Sequence, residues 1–229
     1  MQTIAVIDFE TSGLAPNGGG RATEIAAVLV RDGQVIDSFA SLMKTGVWVP
    51  PFIEQLTGIS NAMLEDAPPA SEVMQEVAEF TRACPIVAHN APFDRGFWQA
   101  ELALAGCDVD PAHEFACTVL LARRLYPEAP SCKLGSLAEF HGLPNSGRAH
   151  RALADAMTTA HLLLQIQQDV QTRFAEDLEG LPVDHALLAC LQRANKAALK
   201  RAVQDFVRKK QGNVSARSLP AQQQTDPRC

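Results

Sequence analysis

The stretch Thr3-Ile4-Ala5-Val6-Ile7-Asp8-Phe9-Glu10 constrains this chain more than any other. Its apolar run is short, partly β-branched and ended by acids, which predicts a buried strand rather than a helix. Residues two apart on a strand point to the same face, so Asp8 and Glu10 project together near the strand's end. Two adjacent carboxylates repel, and such a pair calls for cations or a shared proton. A strand running out into a solvated turn accounts for the same two acids without any chemistry.

Turn residues follow at Gly13 and Pro16 to Gly20, then residues 24–31 read as a second strand. Asp32-Gly33 is a hairpin signal, and residues 34–44 form the third strand, with Val35, Asp37 and Phe39 on one face. Pro50-Pro51 opens a loop-and-helix stretch; Ser60 caps a short helix to Glu65, and Ser71 caps another to about residue 82. Residues 85–88 are a fourth, buried strand leading into a helix with Pro92 in its first turn and an end at Gly106. Residues 115–118 make a fifth strand, followed by helices to Leu125 and over 134–141. The Ala-rich residues 148–165 repeat Leu153, Met157, Ala160 and Leu164 at helical spacing. Strands alternating with helices after an opening meander predict an α/β fold, a mixed five-stranded sheet flanked by helices.

No apolar run reaches the roughly 20 residues of a membrane span. The first residues lack the basic and apolar pattern of a signal peptide. The six cysteines make no C-x-x-C pair and no His/Cys metal spacing, so free thiols and a cytoplasmic location are expected. Charge is distributed unevenly. Residues 1–190 carry a net −13, enough to attract divalent cations, whereas residues 191–217 carry +7.

Two further acids and a histidine fall where a site could assemble. Asp94 lies one turn into a helix that begins just past a strand end, where open α/β sheets hold ligands; an acid there also simply favours the helix dipole. Asp155 sits within the Ala-rich helix and His150 near its start, positions also read as a solvated acid and a capping-region histidine. Taken together, Asp8-Phe9-Glu10-Thr11-Ser12-Gly13-Leu14, His89-Asn90-Ala91-Pro92-Phe93-Asp94 and His150-Arg151-Ala152-Leu153-Ala154-Asp155 resemble the three exonuclease motifs of the DEDD superfamily. The His-x4-Asp spacing is similar to its DEDDh branch, whose members include the proofreading subunit of bacterial replicative DNA polymerase, ribonuclease T and oligoribonuclease. The resemblance covers residues 3 to about 167, and Leu56-Thr57-Gly58-Ile59 and Lys133-Leu134-Gly135-Ser136-Leu137 also fit it.

The resemblance implies a ribonuclease H-like sheet and metal-dependent 3′–5′ hydrolysis of single-stranded DNA or RNA ends, DNA favoured, releasing nucleoside 5′-monophosphates in DNA repair or a related process. Hard oxygen ligands suit Mg²⁺ or Mn²⁺. Asp8 would bridge two ions, Glu10 and Asp155 would complete one site, and Asp94 would act directly or through water. His150 would be the general base, histidine being the usual base at neutral pH. Phe9, Leu14, Ile59 and Phe93 would touch the base or sugar, Thr11 and Ser12 the 3′-hydroxyl, and His89 and Asn90 a phosphate or sugar; Phe9 and Phe93 are as easily core residues. A non-catalytic adaptor on the same fold would not need all five of Asp8, Glu10, Asp94, His150 and Asp155.

Past Gln168 the resemblance stops, dividing the chain into residues 1–168, a helical extension 169–210 and a Gln/Ser/Pro-rich tail 211–229 with a disordered composition. Leu188, Leu191, Leu199, Val203 and Phe206 alternate with Arg193, Lys196, Lys200 and Arg201 as a basic amphipathic helix. Such a helix docks on the catalytic domain, clamps nucleic acid, or meets a polymerase or other protein partner.

Overall fold

The computed structural model describes residues 2–217, with side chains to residue 212. Five strands, β1 (Ile4–Thr11), β2 (Ala22–Arg31), β3 (Gln34–Leu42), β4 (Ile86–Ala88) and β5 (Phe115–Cys117), form one mixed sheet in the order β3-β2-β1-β4-β5. The β1–β2 and β2–β3 pairs are antiparallel, and β4 and β5 continue the sheet in parallel with β1. The expected α/β class and mixed five-stranded sheet are therefore the observed ones. Asp32 and Gly33 close the β2–β3 hairpin with φ of 51° and 81°. Two successive positive φ values are what the strand twist asks of a two-residue turn, and aspartate followed by glycine tolerates them.

β1 is central and covered on both faces, hence its nearly unbroken apolar run. Its even-numbered residues Ile4 and Val6 pack with Ala156, Ala160 and Leu163 of α7 (Ala152–Arg173). Its odd-numbered Ile7 and Phe9 pack with Val73 and Val77 of α3 (Ala70–Phe80) and with Phe97, Trp98 and Leu102 of α4 (Ala91–Leu104). Phe97, Trp98, Ile7 and Ile25 are fully enclosed. Each large apolar side chain so buried contributes about 1.5–3 kcal/mol, so the sheet is held from both sides.

α1 (Pro51–Thr57) and α2 (Asn61–Glu65) lie between β3 and α3, and Ser60 caps α2 by accepting from the Met63 N–H at 3.2 Å. β2 begins two residues earlier than expected, at Ala22, and β3 ends two residues earlier, at Leu42; three expected helix boundaries also move. α3 begins at Ala70 with Pro69 as its cap, leaving Ser71 inside the helix, because the Pro69 carbonyl already takes the Glu72 and Val73 N–H groups. α4 ends at Leu104, two residues short of Gly106. α7 begins at Ala152, not residue 148, because His150 has φ 60° and Arg151 is extended. α5 (Thr118–Leu125) and α6 (Leu134–His141) lie as expected.

α7 runs past residue 168 without a break to Arg173. The extension is not one helix but α8 (Ala175–Leu178), α9 (His185–Leu191) and α10 (Leu199–Arg217). Leu188, Leu191, Leu199 and Val203 are buried in the same core as α7 and β1, with Phe206 partly buried beside them. Polar contacts add to this docking. The Gln192 side chain accepts the Cys117 N–H at 2.7 Å and donates to the Phe115 carbonyl at 3.2 Å, covering the outer edge of β5. His185 Nε2 lies 3.0 Å from the Ile86 carbonyl. Of the basic residues, Lys200 faces Asp177, Arg201 and Arg208 face Asp205, and Lys210 faces Asp184. Residues 211–217, expected in the tail, continue α10, and residues 218–229 lie outside the described part. No described helix is long and apolar enough to cross a membrane, and the five described cysteines are unpaired.

Candidate active site

The site grows from the far end of β1. Asp8 and Glu10 share the face of Ile4 and Val6, so the strand's alternation carries the α7 side of the core straight into a pair of acids. Glu10 lies directly opposite Glu24 of β2, a fifth carboxylate in the same neighbourhood. Asp155 comes from the first turns of α7, and its Oδ2 accepts the His150 N–H at 3.0 Å. Asp94 comes from α4, 2% exposed, with Oδ1 accepting the Phe9 N–H at 3.3 Å. Ligand-capable atoms of Glu10, His150 and Asp155 all lie within 4.8 Å of one another. Thus Asp8, Glu10, Asp94, Asp155 and His150, dispersed over nearly 150 residues, meet at one end of the sheet.

The electrostatics are those of crowded anions. Burial first, then Asp94, Asp155, Glu10 and Glu24, push the Asp8 carboxyl well above its ordinary range. Burial, Asp155 and Glu24 raise Glu10 to about 7, against the pull of Arg151. Burial lifts Asp94 to about 8, although the Phe9 N–H opposes it. Asp155 is raised by burial and held back by the His150 N–H. Four oxygen-donor carboxylates that resist ionisation together form a set suited to hard divalent cations.

The residues expected to touch substrate divide into groups. Leu14 is 89% exposed at the tip of the loop after β1. Ile59 has no exposed surface and packs with Val49 and Leu64, so it is a core residue here. Phe9 is likewise core, enclosed against Phe97 and Trp98. Phe93 is half-buried, its ring 5.0 Å from that of Phe97. Thr11 and Ser12 lie beside Glu10, but both hydroxyls close the loop: Thr11 donates to the Gly13 carbonyl at 2.7 Å, and Ser12 accepts the Arg21 N–H at 3.0 Å. His89 has Nδ1 2.8 Å from Thr118 Oγ1, and burial lowers it to about 4, so at neutral pH it is uncharged and no cationic phosphate ligand. Asn90 is exposed, with φ 69°, at the start of α4.

Sequence reasoning passed over Glu24, Arg151, Arg21 and Glu101. The Arg151 guanidinium grips Glu24 with two contacts of 2.7 and 3.1 Å, and the Ala152 N–H donates to the same carboxylate at 2.9 Å. Arg21 grips Glu101 of α4 at 2.8 and 2.9 Å, joined by the Ala22 N–H at 3.0 Å. The available signal was an acid placed just ahead of the apolar residues 25–30, where a buried charge needs a partner.

The fold is a mixed sheet with a carboxylate cluster at the end of its central strand, and comparison with known proteins identifies the chain as an exonuclease. The family model described as Exonuclease matches residues 5–163. The 3′-5′ exonuclease DinG of Bacillus subtilis (strain 168) is 38% identical over 170 residues, covering 74% of this chain and 18% of that protein. DinG of Staphylococcus aureus (strain USA300) is 35% identical over 185 residues, covering 80% and 19%. This chain therefore spans about a fifth of the length of these two relatives. Among solved structures, exonuclease X in complex with 5′ overhanging duplex DNA is 31% identical with a TM-score of 0.58, covering 72% of this chain and 91% of that one. Exonuclease I shares the fold at 20% identity and a TM-score of 0.65, covering 83% and 46%. The chain belongs to the Exonuclease family, whose model it matches over residues 5–163.

Proposed function

We propose that this protein is a 3′–5′ exonuclease that hydrolyses the terminal phosphodiester of single-stranded nucleic acid, DNA in preference to RNA, and releases nucleoside 5′-monophosphates. The observation that carries the reading is the convergence of Asp8, Glu10, Asp94 and Asp155 at the end of β1, with His150 beside Glu10 and Asp155. The preference for DNA draws on exonuclease X, the 31%-identical relative solved with DNA.

Asp8, Glu10, Asp94 and Asp155 would hold two divalent ions, Mg²⁺ or Mn²⁺. When bound, such ions polarise the phosphate and neutralise the charge that develops in an in-line displacement. The protein's own contributions follow from position. His150, exposed on the loop before α7, takes the proton from the attacking water. Leu14, exposed on the loop that follows Glu10, offers an apolar surface to the terminal base. The uncharged His89, braced on Thr118, supplies no positive charge to a phosphate.

The deciding experiment is digestion of end-labelled single-stranded DNA and RNA of one sequence, with Mg²⁺, with Mn²⁺ and with EDTA. Stepwise loss of nucleotides from the 3′ end, dependent on metal and faster on DNA, is the expected result. Cleavage in EDTA would sink the metal assignment. Faster loss of the RNA strand would replace DNA by RNA as the substrate.

A further inference from the structure

The geometry points to Glu24 and Arg151 as a positioning pair of this site: their ion pair fixes the loop that presents His150 and the start of the helix that carries Asp155. The inference rests on the proposed exonuclease function. Neither residue belongs to the expected ligand set, yet Glu24 lies directly across the sheet from Glu10, and the Arg151 carbonyl accepts the Asp155 N–H at 3.0 Å.

The loop needs such a fixture. Gly147, Arg148, Ala149 and His150 are all exposed, and His150 holds φ 60°, a conformation unfavourable for a side chain with a Cβ. The His150 N–H to Asp155 bond is local to the loop and helix and cannot by itself place them against the sheet. The anchor comes one residue later. Arg151 lays both prongs of its guanidinium on Glu24 at 2.7 and 3.1 Å, and the Ala152 N–H, the first of α7, adds a third contact at 2.9 Å. Glu24 is itself enclosed, in a buried strand with a side chain 6% exposed, directly across from Glu10. The clamp thus refers His150 and Asp155 to the strand pair that bears Asp8 and Glu10.

The same device occurs once more. Arg21 and the Ala22 N–H enclose Glu101 as Arg151 and the Ala152 N–H enclose Glu24. Glu101 stands on α4, two turns from Asp94. An Arg-Ala pair around a buried glutamate therefore ties each acid-bearing helix to the start of β2. Buried ion pairs are poor sources of stability compared with apolar packing. A bidentate guanidinium–carboxylate contact nevertheless fixes direction, which a catalytic loop requires and apolar packing does not supply. Arg151 has a second effect, since its charge engages Glu24, the fifth carboxylate beside the four acids.

The test uses the full chain with Arg151→Met, Arg151→Lys and the apolar double variant Glu24→Met/Arg151→Met, the last to keep a folded protein if a lone buried glutamate proves intolerable. Three quantities are measured: kcat and KM on a 3′-hydroxyl single strand, melting temperature, and backbone hydrogen exchange without metal. The clamp predicts kcat lower by roughly 10–100-fold in Arg151→Met and in the double variant, as expected for a misplaced catalytic group, with KM within about threefold. Arg151→Lys should recover little, because an ammonium lacks the fork. Faster exchange should be confined to residues 147–156. If the double variant keeps kcat within about threefold of the parent, or if exchange rises across the whole sheet, the pair is merely structural. A parent inactive on every strand would sink the exonuclease reading instead, and the exchange pattern would still decide the clamp.

Discussion

Removing one charge from the acid cluster should make the metal-free protein more stable. Glu10 is the cleanest probe, being 9% exposed and raised from its ordinary 4.5 to about 7 by burial, Asp155 and Glu24. Between those values the folded chain holds a proton that the unfolded chain has released. Stability therefore falls as pH rises through this window and stays low above it. At about 1.4 kcal/mol per pH unit, the ionised carboxylate costs the folded state about 3 kcal/mol at pH 8 and about 1 kcal/mol at pH 5.5. Glu10→Gln removes that cost while keeping shape. At roughly 2–4 °C per kcal/mol for a chain of this size, its melting temperature in EDTA at pH 8 should exceed the parent's by about 6–12 °C as a ceiling. The gain should shrink to a few degrees at pH 5.5. Scanning calorimetry of both proteins from pH 5 to 8.5 in EDTA measures it. Saturating Mn²⁺ should reverse the order, because ligand binding stabilises only the protein that keeps its ligands. An unchanged or lower melting temperature for Glu10→Gln at pH 8, or a gain independent of pH, would refute the crowded-anion account.

Other outcomes follow from the same geometry. Asp8→Ala and Asp155→Ala should abolish hydrolysis in a gel assay while circular dichroism shows the parent fold; full activity in either purified variant would overturn the ligand assignment. His150→Ala should lower kcat by roughly 10²–10⁴-fold with Mn²⁺ affinity by calorimetry kept, whereas lost affinity and rescue by excess metal would make His150 a ligand. Because Glu10 and Asp94 keep protons up to about 7 and 8, metal binding should release protons and tighten by roughly tenfold per pH unit for each proton displaced; pH-independent affinity between pH 6 and 7 would contradict this. Leu191→Ala, at a site with no exposed surface, should destabilise the whole chain by about 2–5 kcal/mol in one urea transition, and a separate early transition would show that the C-terminal helices fold independently of the sheet.

Local pattern settled much of this protein. The β1 run, the Asp-Gly hairpin and the Ser60 cap are decided by side-chain periodicity and backbone preference within a few residues, so they are legible in the chain. So are the three short motifs, because each is a set spacing within a few residues. What stayed hidden depends on partners far apart in sequence. Helix α7 starts late because the backbone at His150 and Arg151 is bent toward Glu24, 127 residues away. Ile59, His89, Thr11 and Ser12 look available for substrate, yet burial encloses the first and internal hydrogen bonds engage the others. For the residues after 168 the apolar spacing marks a face but does not name its partner, leaving docking beside nucleic-acid or protein binding, and the packed structure shows Leu188, Leu191 and Val203 sharing one core with β1 and α7. Periodicity tells a residue which face it is on; what that face meets is decided by the closed fold.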